Sequence, residues 1–283
     1  MKPSRPEATS AASAEASGAA PPGPATTLVR YCSKVLAVAD MEVRKLRHDP
    51  TELLTRAIQP TLWLLVFGEV FAHVRAIPTG SVGYLDFLAP GILAQSVLFV
   101  AIFYGISVIW ERDLGILHKF LVSPTPRTAL VLGKALSAGA RAISQAVIVY
   151  LLALALGVRM DWRPGALGGV VLLVLLGAAV FSTFSLIIAC IVKTRERFMG
   201  IGQVLTMPLF FASNAIYPTE IMPDWLKVIA HVNPLTYEVD GLRALMLAAG
   251  QSTLGLGLDV AVLLGALALL VAIAGRLYPR IVI

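Results

Sequence analysis

Charged side chains are scarce in this sequence. Of its 283 residues, 14% are Asp, Glu, Lys or Arg and 57% are hydrophobic, whereas soluble proteins hold about a quarter and about half, respectively. A water-soluble chain of this size needs more polar side chains to cover its surface, but lipid accepts apolar side chains on the outside of every helix. The composition therefore excludes an ordinary soluble domain and predicts an integral membrane protein.

The sequence also lacks clusters of residues with catalytic or metal-binding spacing. The two cysteines, Cys32 and Cys190, have no metal-type spacing, and we interpret them as small apolar side chains. No His, Cys or Asp cluster has catalytic or metal spacing, which argues against a membrane enzyme. Gly133 and Lys134 do not belong to a phosphate-binding loop, because Thr128 stands where that motif needs its first glycine. We therefore expect no catalysis, metal or cofactor on this chain.

The N-terminal residues differ from the rest of the chain. Residues 1–27 are rich in Ala, Ser, Gly and Pro, which predicts a disordered tail. In residues 28–50, basic side chains such as Arg30 and Lys34 recur near one stripe at helical spacing, and apolar side chains fall mostly on the other. This pattern predicts an amphipathic interfacial helix, with an ordinary solvated helix as the alternative.

Long apolar runs fill most of the remaining chain. Each is close to or above the roughly 18 to 20 residues that cross about 30 Å of hydrocarbon as a helix. The predicted fold is therefore all-α, with a six-span transmembrane domain over residues 51–283 and spans at about 57–74, 84–109, 130–157, 165–192, 198–216 and 254–275.

The distribution of basic residues predicts the orientation. If the N-terminus is inside, the inner segments hold 18 of the 23 Lys and Arg residues. By the positive-inside rule, we expect both termini on the cytoplasmic side of the plasma membrane. Topology and anionic lipid then account for the net charge of +6, and no nucleic-acid partner is predicted.

The interval between the fifth and sixth predicted spans is unusual. Pro218, Pro223 and Pro234 divide it into apolar pieces that are too short to cross a membrane. Asp224 follows one proline and Asn233 precedes another, at positions that favour helix starts. We therefore predict an extracellular re-entrant hairpin of two short helices.

Ionisable side chains in and near this hairpin are candidates for ion pairs or for contact with the substrate. Asp240 and Arg243 lie three residues apart, which predicts an ion pair that stabilises the hairpin, with substrate contact as the alternative. Asp259, near the start of the last predicted span, is expected to reach outward water.

Polar and aromatic residues within the spans are candidates for a translocation path. Glu69 and His73 are four residues apart on one helical face, where they either face such a path or satisfy one another near the head groups. Phe103 and Phe210 are further candidates, with ordinary helix packing as the alternative.

A charged stretch, residues 110–124, interrupts the apolar runs between the second and third spans. Leu114, Leu117 and Leu121 share one apolar face, while Arg112 and Lys119 point elsewhere. The pattern predicts a short cytoplasmic helix that offers a docking surface to a partner.

Four segments closely resemble the type-2 permeases of ATP-binding cassette (ABC) exporters, especially the group that includes daunorubicin-resistance and nodulation-factor exporters. They are L-A-P-G-I-L-A-Q-S at 88–96, W-E-R-D-L-G-I-L at 110–117, L-V-S-P-T-P-R-T-A-L-V-L-G-K-A-L at 121–136 and N-P-L-T-Y-E-V-D-G-L-R at 233–243.

The resemblance implies roles for the residues in these segments. The charged stretch would be a coupling helix that docks into a cleft of an ATPase subunit, with contacts from Glu111, Arg112, Asp113, Gly115, Leu117, Leu121 and Pro124. The hairpin would be formed around Asn233, Pro234, Tyr237, Asp240 and Arg243. The implied partners are two P-loop ATPase subunits that bind ATP and Mg, a second identical or similar permease, and membrane lipid.

The implied function is export of a lipophilic or lipid-linked substrate, such as a drug, a lipid or a glycolipid. A polysaccharide or teichoic-acid exporter permease is the alternative within the family. A stand-alone channel or proton-coupled carrier is a third possibility, although the spans lack the strings of carboxylates and the paired broken helices of such carriers.

Overall fold

The computed structural model describes residues 55, 58–74, 77, 82–114, 127–192 and 194–277, with backbone alone at 127–129. The predicted tail at 1–27 and the predicted interfacial helix at 28–50 lie outside these residues. So does the predicted coupling helix beyond Leu114, including Gly115, Leu117, Leu121 and Pro124.

The described residues form eight helices and no strand beyond one isolated bridge, between Met160 and Leu247, which confirms the all-α prediction. Within α1, residues Trp63–Gly68 are π-helical. The helices are α1 (Ile58–Val74), α2 (Tyr84–Asp113), α3 (Arg127–Ala155), α4 (Pro164–Ile191), α5 (Arg195–Phe211), α6 (Asp224–Val232), α7 (Pro234–Met246) and α8 (Leu256–Leu277).

Four of these helices are long and apolar enough to cross a membrane: α2, α3 from Leu130, α4 and α8. Helix α1 is apolar but shorter, and α5 has 17 residues with Arg195, Glu196 and Arg197 in its first turn. The described chain therefore contains a multi-pass bundle, with α1 and α5 at the positions of the other two predicted spans.

Helix α4 lies at the centre of the bundle, where it packs against α2, α3, α7 and α8. Helix α2 is buried along most of its length, and Leu88, Ile92 and Leu98 have no exposed surface. It crosses the turn after α5 very closely, because a Cβ added to Gly91 would lie 2.2 Å from the Ala215 carbonyl oxygen. Only glycine fits at that crossing, so the contact fixes α2 against the end of α5.

The interval after α5 contains the two short helices that the prolines predict. Helix α6 begins at Asp224, and Asn233 caps α7 by accepting a hydrogen bond from the Leu235 amide at 3.0 Å. The Asn233 side chain also donates to the carbonyls of Leu209 at 2.7 Å and Ala212 at 3.0 Å. One asparagine therefore both starts α7 and fastens it to the end of α5.

Candidate functional site

A buried ion pair joins the C-terminal end of α2 to α3. Glu111 is 5% exposed, and the Lys134 ammonium donates to its two carboxylate oxygens at 2.5 and 2.6 Å. A buried charge is stable only when a well-placed partner and hydrogen bonds replace its hydration. The pair therefore holds α2 and α3 in a single register at this end of the bundle.

The next turn of α2 is joined to α5. Asp113 accepts hydrogen bonds from Arg112 at 3.0 Å and from Arg195 at 2.9 Å. The Arg195 guanidinium also lies 3.7 Å from the centre of the Trp110 ring, a cation–π distance. Together these contacts attach the start of α5 to the end of α2. Residues 110–114 are therefore in direct contact with both α3 and α5.

The structure gives the predicted coupling residues different environments. Glu111 is buried in its pair with Lys134, whereas Asp113 and Leu114 are exposed. We therefore assign Glu111 to contacts inside the bundle and Leu114 to its surface. The docking of this stretch on a partner stays a prediction.

A cavity of about 920 Å³ lies between α1, α2 and α3. Phe103, one of the predicted path residues, lies on its wall and stacks on Phe99 with ring centres 6.0 Å apart. Sequence reasoning missed three polar wall residues, although polar side chains inside an apolar run are a usable signal. They are Gln95, Arg141 and Gln145.

The other predicted path residues lie elsewhere. Glu69 and His73 are close on the surface of α1, with the His73 Nδ1 atom 3.9 Å from a Glu69 carboxylate oxygen, which confirms the predicted proximity. Phe210 has no exposed surface and packs edge-on against Trp63 with ring centres 5.5 Å apart. It is therefore a core residue in this structure, and a path role for Glu69 and His73 stays a prediction.

Asp240 and Arg243 do not form the predicted direct ion pair, although the Asp240 charge still acts on Arg243 through space. Asp240 instead accepts hydrogen bonds from the segment before α8, namely from the Ser252 and Thr253 hydroxyls at 2.8 and 2.6 Å and from the amides of Thr253 and Leu254. Arg243 donates to the Asn214 carbonyl at 2.8 Å. Each side chain finds its partners outside its own helix.

The expected exposure of Asp259 is also wrong. Its carboxyl group has no exposed surface and lies 3.0 Å from the Ser252 hydroxyl, which also contacts Asp240. The loop before α8 folds over both carboxyl groups, so Asp259 joins α8 to α7 and does not reach water. The remaining predicted hairpin residue, Tyr237, donates to the His231 carbonyl at 2.7 Å and ties α7 to α6.

Glu238 is a buried carboxyl group that sequence reasoning did not select. It has no exposed surface, and neither carboxyl oxygen has a hydrogen-bond partner among the described residues. It packs against Gly177 of α4, where an added Cβ would lie 2.2 Å from its carboxyl group. Burial raises the pKa of Glu238 well above its usual range, because desolvation favours the neutral form of a carboxyl group.

We expect Glu238→Gln to remove a pH dependence of stability. A carboxyl group whose pKa is raised on folding costs stability once the pH exceeds its unfolded value of about 4.3, by about 1.4 kcal/mol per pH unit up to the folded pKa. The melting temperature of the purified protein should therefore fall from pH 5 to pH 8, and the variant should show a flatter profile. Glu220→Gln, at an exposed carboxylate, is the control. Parallel profiles for all three proteins would contradict a neutral Glu238.

Comparison with models of protein families identifies the family to which this chain belongs. The model described as "ABC-2 type transporter" matches residues 33–247, which is most of the sequence. The chain belongs to the ABC-2 type transporter family. The match includes the W-E-R-D stretch and helices α6 and α7, so the resemblance noted from the sequence is confirmed.

Individual relatives of this ABC-2 chain are transport permeases. It is 30% identical over 203 residues to the transport permease ycf38 of Cyanophora paradoxa, covering 71% of this chain and 70% of the relative. It is 28% identical over 236 residues to the daunorubicin resistance ABC transporter permease protein DrrB1 of Streptomyces coeruleorubidus, covering 82% and 81%. It is 23% identical over 197 residues to the inner membrane transport permease YadH of Escherichia coli K12, covering 68% and 73%.

These similarities place the ABC-2 chain among the permeases of ABC transporters and make it a multi-pass membrane protein. Membership of the family implies an ABC transporter with an ATPase partner. The relatives are named as transport proteins, in keeping with the prediction that the chain is not itself an enzyme.

Proposed function

We propose that this chain is the six-span permease subunit of an ATP-driven ABC exporter that moves a lipophilic or lipid-linked substrate outward across the plasma membrane. Two permease subunits, identical or similar, assemble with two P-loop ATPase subunits that bind ATP and Mg. Both termini of the permease are cytoplasmic.

Exposed apolar surface supports six spans and a re-entrant hairpin. The outer side of α1 carries exposed large side chains, among them Leu65, Val66 and Val70, which suit contact with lipid or with a second subunit. On α6, Trp225 and Val232 are 65% and 78% exposed. A short helix with such a face suits the outer leaflet, where its apolar side enters the lipid boundary.

The observation that carries the proposal is the pair of links at the end of α2. Glu111 binds Lys134 of α3, and Asp113 binds Arg195 of α5. When the ATPase subunits close on ATP, a force on residues 110–124 reaches three helices at once through these links. Transport follows if the two arrangements of the bundle differ in their affinity for the substrate.

The cavity and one relative favour a drug-like substrate over a polymer. A volume of about 920 Å³ lies at the upper end of the roughly 300 to 1,000 Å³ typical of sites for small molecules. One similar permease is named for daunorubicin resistance. A lipid or glycolipid would enter the same apolar bundle from the inner leaflet.

Reconstitution tests the proposal. The full chain, coexpressed with a candidate P-loop ATPase subunit and placed in vesicles, should bind that subunit and show ATP-dependent movement of a lipophilic dye. Leu114→Asp, which puts a charge on a side chain that is 67% exposed, should reduce the amount of copurified ATPase several-fold. Asp224→Ala, at an exposed residue of α6, is the control.

Two results would overturn the proposal. One is that no P-loop ATPase binds the chain, and the other is that the chain alone moves ions or solutes without ATP. In the second case the Glu69 and His73 pair on α1 becomes the place to look for a carrier mechanism.

A further inference from the structure

A separate cavity of about 280 Å³ lies between α3 and α4, and we call it the α3–α4 groove. Its α3 wall is one helical stripe, because the lining residues recur three or four positions apart from Ile143 to Leu154. Its α4 wall runs from Leu167 to Val174, and Trp162 lines it from the loop that joins the two helices. Every lining residue is apolar or aromatic. The groove therefore offers almost no polar group to a ligand along its length.

The floor of the groove is buried and its rims are exposed. Ala146 and Val170 belong to the buried floor, whereas Val147, Leu151 and Val171 are exposed large side chains on the rims. Exposed apolar side chains on two membrane-spanning helices suit contact with lipid. Among the described residues, none from α1 or α5 lines the groove. It is therefore distinct from the apolar surface of α1 that suits a second subunit.

The length of the groove matches one leaflet of a bilayer. From Ile143 to Leu154 the α3 wall measures about 16 Å, at about 1.5 Å per residue. The hydrocarbon of a bilayer is about 30 Å thick, so one leaflet contributes about 15 Å. An acyl chain that enters at the loop between α3 and α4 would follow the groove to about the middle of the membrane.

Trp162 marks the end of the groove that lies near the head groups. Its ring is more than half exposed and packs edge-on against Tyr150, with ring centres 6.4 Å apart. The loop is held in place, because the Asp161 amide donates to the Met246 carbonyl of α7 at 2.8 Å. Tryptophan is enriched at the interface between lipid and water. The loop end of the groove is therefore at head-group level.

An arginine follows Trp162 and provides donors for a phosphate group. Asp161 accepts hydrogen bonds from the Nε and one Nη atom of Arg163 at 2.8 and 2.5 Å. The Asp161 side chain is 8% exposed, whereas that of Arg163 is 82% exposed. A guanidinium group has five N–H donors, so others remain for a ligand on its exposed side. Because Asp161 balances the charge, a zwitterionic head group suits this position as well as an anionic one.

We propose that the α3–α4 groove binds one acyl chain of a phospholipid and that Arg163 donates hydrogen bonds to its phosphate. The lipid belongs to the leaflet that contains the loop between α3 and α4, which is the outer leaflet in the orientation proposed above. The site goes beyond the proposed transport function, since neither the transported substrate nor the ATPase takes part in it.

Native mass spectrometry of the full chain in detergent tests the site. One probe is palmitoyl-oleoyl phosphatidylethanolamine, and the other is the diacylglycerol with the same chains and no phosphate. Wild type should bind one molecule of the phospholipid saturably, and more tightly than the diacylglycerol. Ala146→Leu should weaken binding of both probes by about tenfold, because the larger side chain takes the room of about two methylene groups of the acyl chain.

Matched variants separate the groove from the rest of the lipid-facing surface. Ala268→Leu makes the same change at an exposed alanine of α8 and should bind both probes as wild type does. Val171→Trp fills the groove from its exposed rim, without a change in the core, and should weaken binding even if Ala146→Leu does not fold. Leu172→Trp is its control, because Leu172 is an exposed neighbour that does not line the groove.

A third variant tests the phosphate contact. Arg163→Gln should weaken binding of the phospholipid by about fivefold, through the loss of hydrogen bonds from a charged donor, and leave the affinity for the diacylglycerol unchanged. A merely structural effect would weaken both probes alike. Arg197→Gln makes the same change at an exposed arginine of α5 and should bind both probes as wild type does.

Unchanged affinity in both Ala146→Leu and Val171→Trp would overturn the groove as a lipid site. Equal losses in their controls would also overturn it, because they would show unspecific association with the detergent-covered surface. Equal losses of both probes in Arg163→Gln would overturn the phosphate contact. The measurement uses neither ATP nor an ATPase, so a failure of the transport proposal leaves its outcome unaffected.

Discussion

Replacing Glu111 with alanine is expected to uncouple ATP hydrolysis from transport and to lower the free energy of unfolding by about 3 to 5 kcal/mol. The variant leaves the Lys134 ammonium buried without the carboxylate that accepts two of its hydrogen bonds. The link between α2 and α3 is then lost at the end of the bundle where the ATPase is proposed to act. Melting temperature and ATP-dependent dye movement measure the two effects.

Charge-reversal variants distinguish the contribution of the Glu111–Lys134 ion pair from the effect of changing either residue alone. Glu111→Lys and Lys134→Glu should each be as damaging as the alanine variant, because each buries two like charges next to one another. The double variant, Glu111→Lys with Lys134→Glu, should recover a substantial part of both stability and transport. Glu196→Ala removes an exposed carboxylate in the first turn of α5 and serves as the control. A double variant no better than the singles would show that the pair does not couple these helices.

Glu111 belongs to both proposed parts of the mechanism. It lines the cavity and also forms the ion pair that joins α2 to α3. Trp110 has the same double position, since its ring lies on the cavity wall and under the Arg195 guanidinium. Both side chains therefore connect the wall of the cavity to a neighbouring helix, Glu111 to α3 and Trp110 to α5.

Local signals in the sequence account for the helices that were predicted well. The apolar runs predicted at 84–109 and 165–192 correspond to the helices Tyr84–Asp113 and Pro164–Ile191, because length and hydropathy are enough to define a membrane-spanning helix. Asn233 was recognised as a helix start because capping depends on residues a few positions away. These features need no knowledge of the tertiary structure.

The sequence-based predictions differ from the structure where a side chain has both a near and a distant potential partner. Sequence spacing favours a pair between Asp240 and Arg243, but the structure gives Asp240 the hydroxyls and amides of the loop before α8. In the same way Lys134, the partner of Glu111, is 23 positions away. No local pattern predicts such contacts, because the packing of whole helices decides them. The cavity could not be predicted for the same reason. In the sequence, Gln95 is recognisable only as a polar residue within an apolar run, and its neighbours on other helices are not.

The hydrogen bonds of Asp240 predict a large loss of stability on truncation. In Asp240→Ala, the hydroxyls of Ser252 and Thr253 and the amides of Thr253 and Leu254 lose the carboxylate that they contact between 2.6 and 3.2 Å. Leaving several partly buried donors without an acceptor should cost at least about 3 kcal/mol, measured as a lower midpoint of thermal unfolding.

Hydrogen exchange locates the origin of this loss. The amides of Thr253 and Leu254 should exchange faster in Asp240→Ala, since both donate to that carboxylate in the wild-type protein. Asp224→Ala is the matched control, because Asp224 is an acidic residue of the same interval whose side chain is fully exposed and lies 3.4 Å from Lys227. It should melt within about 0.5 kcal/mol of wild type. If both aspartate variants melt alike, the loop before α8 is held by its apolar contacts and Asp240 does not join α7 to α8.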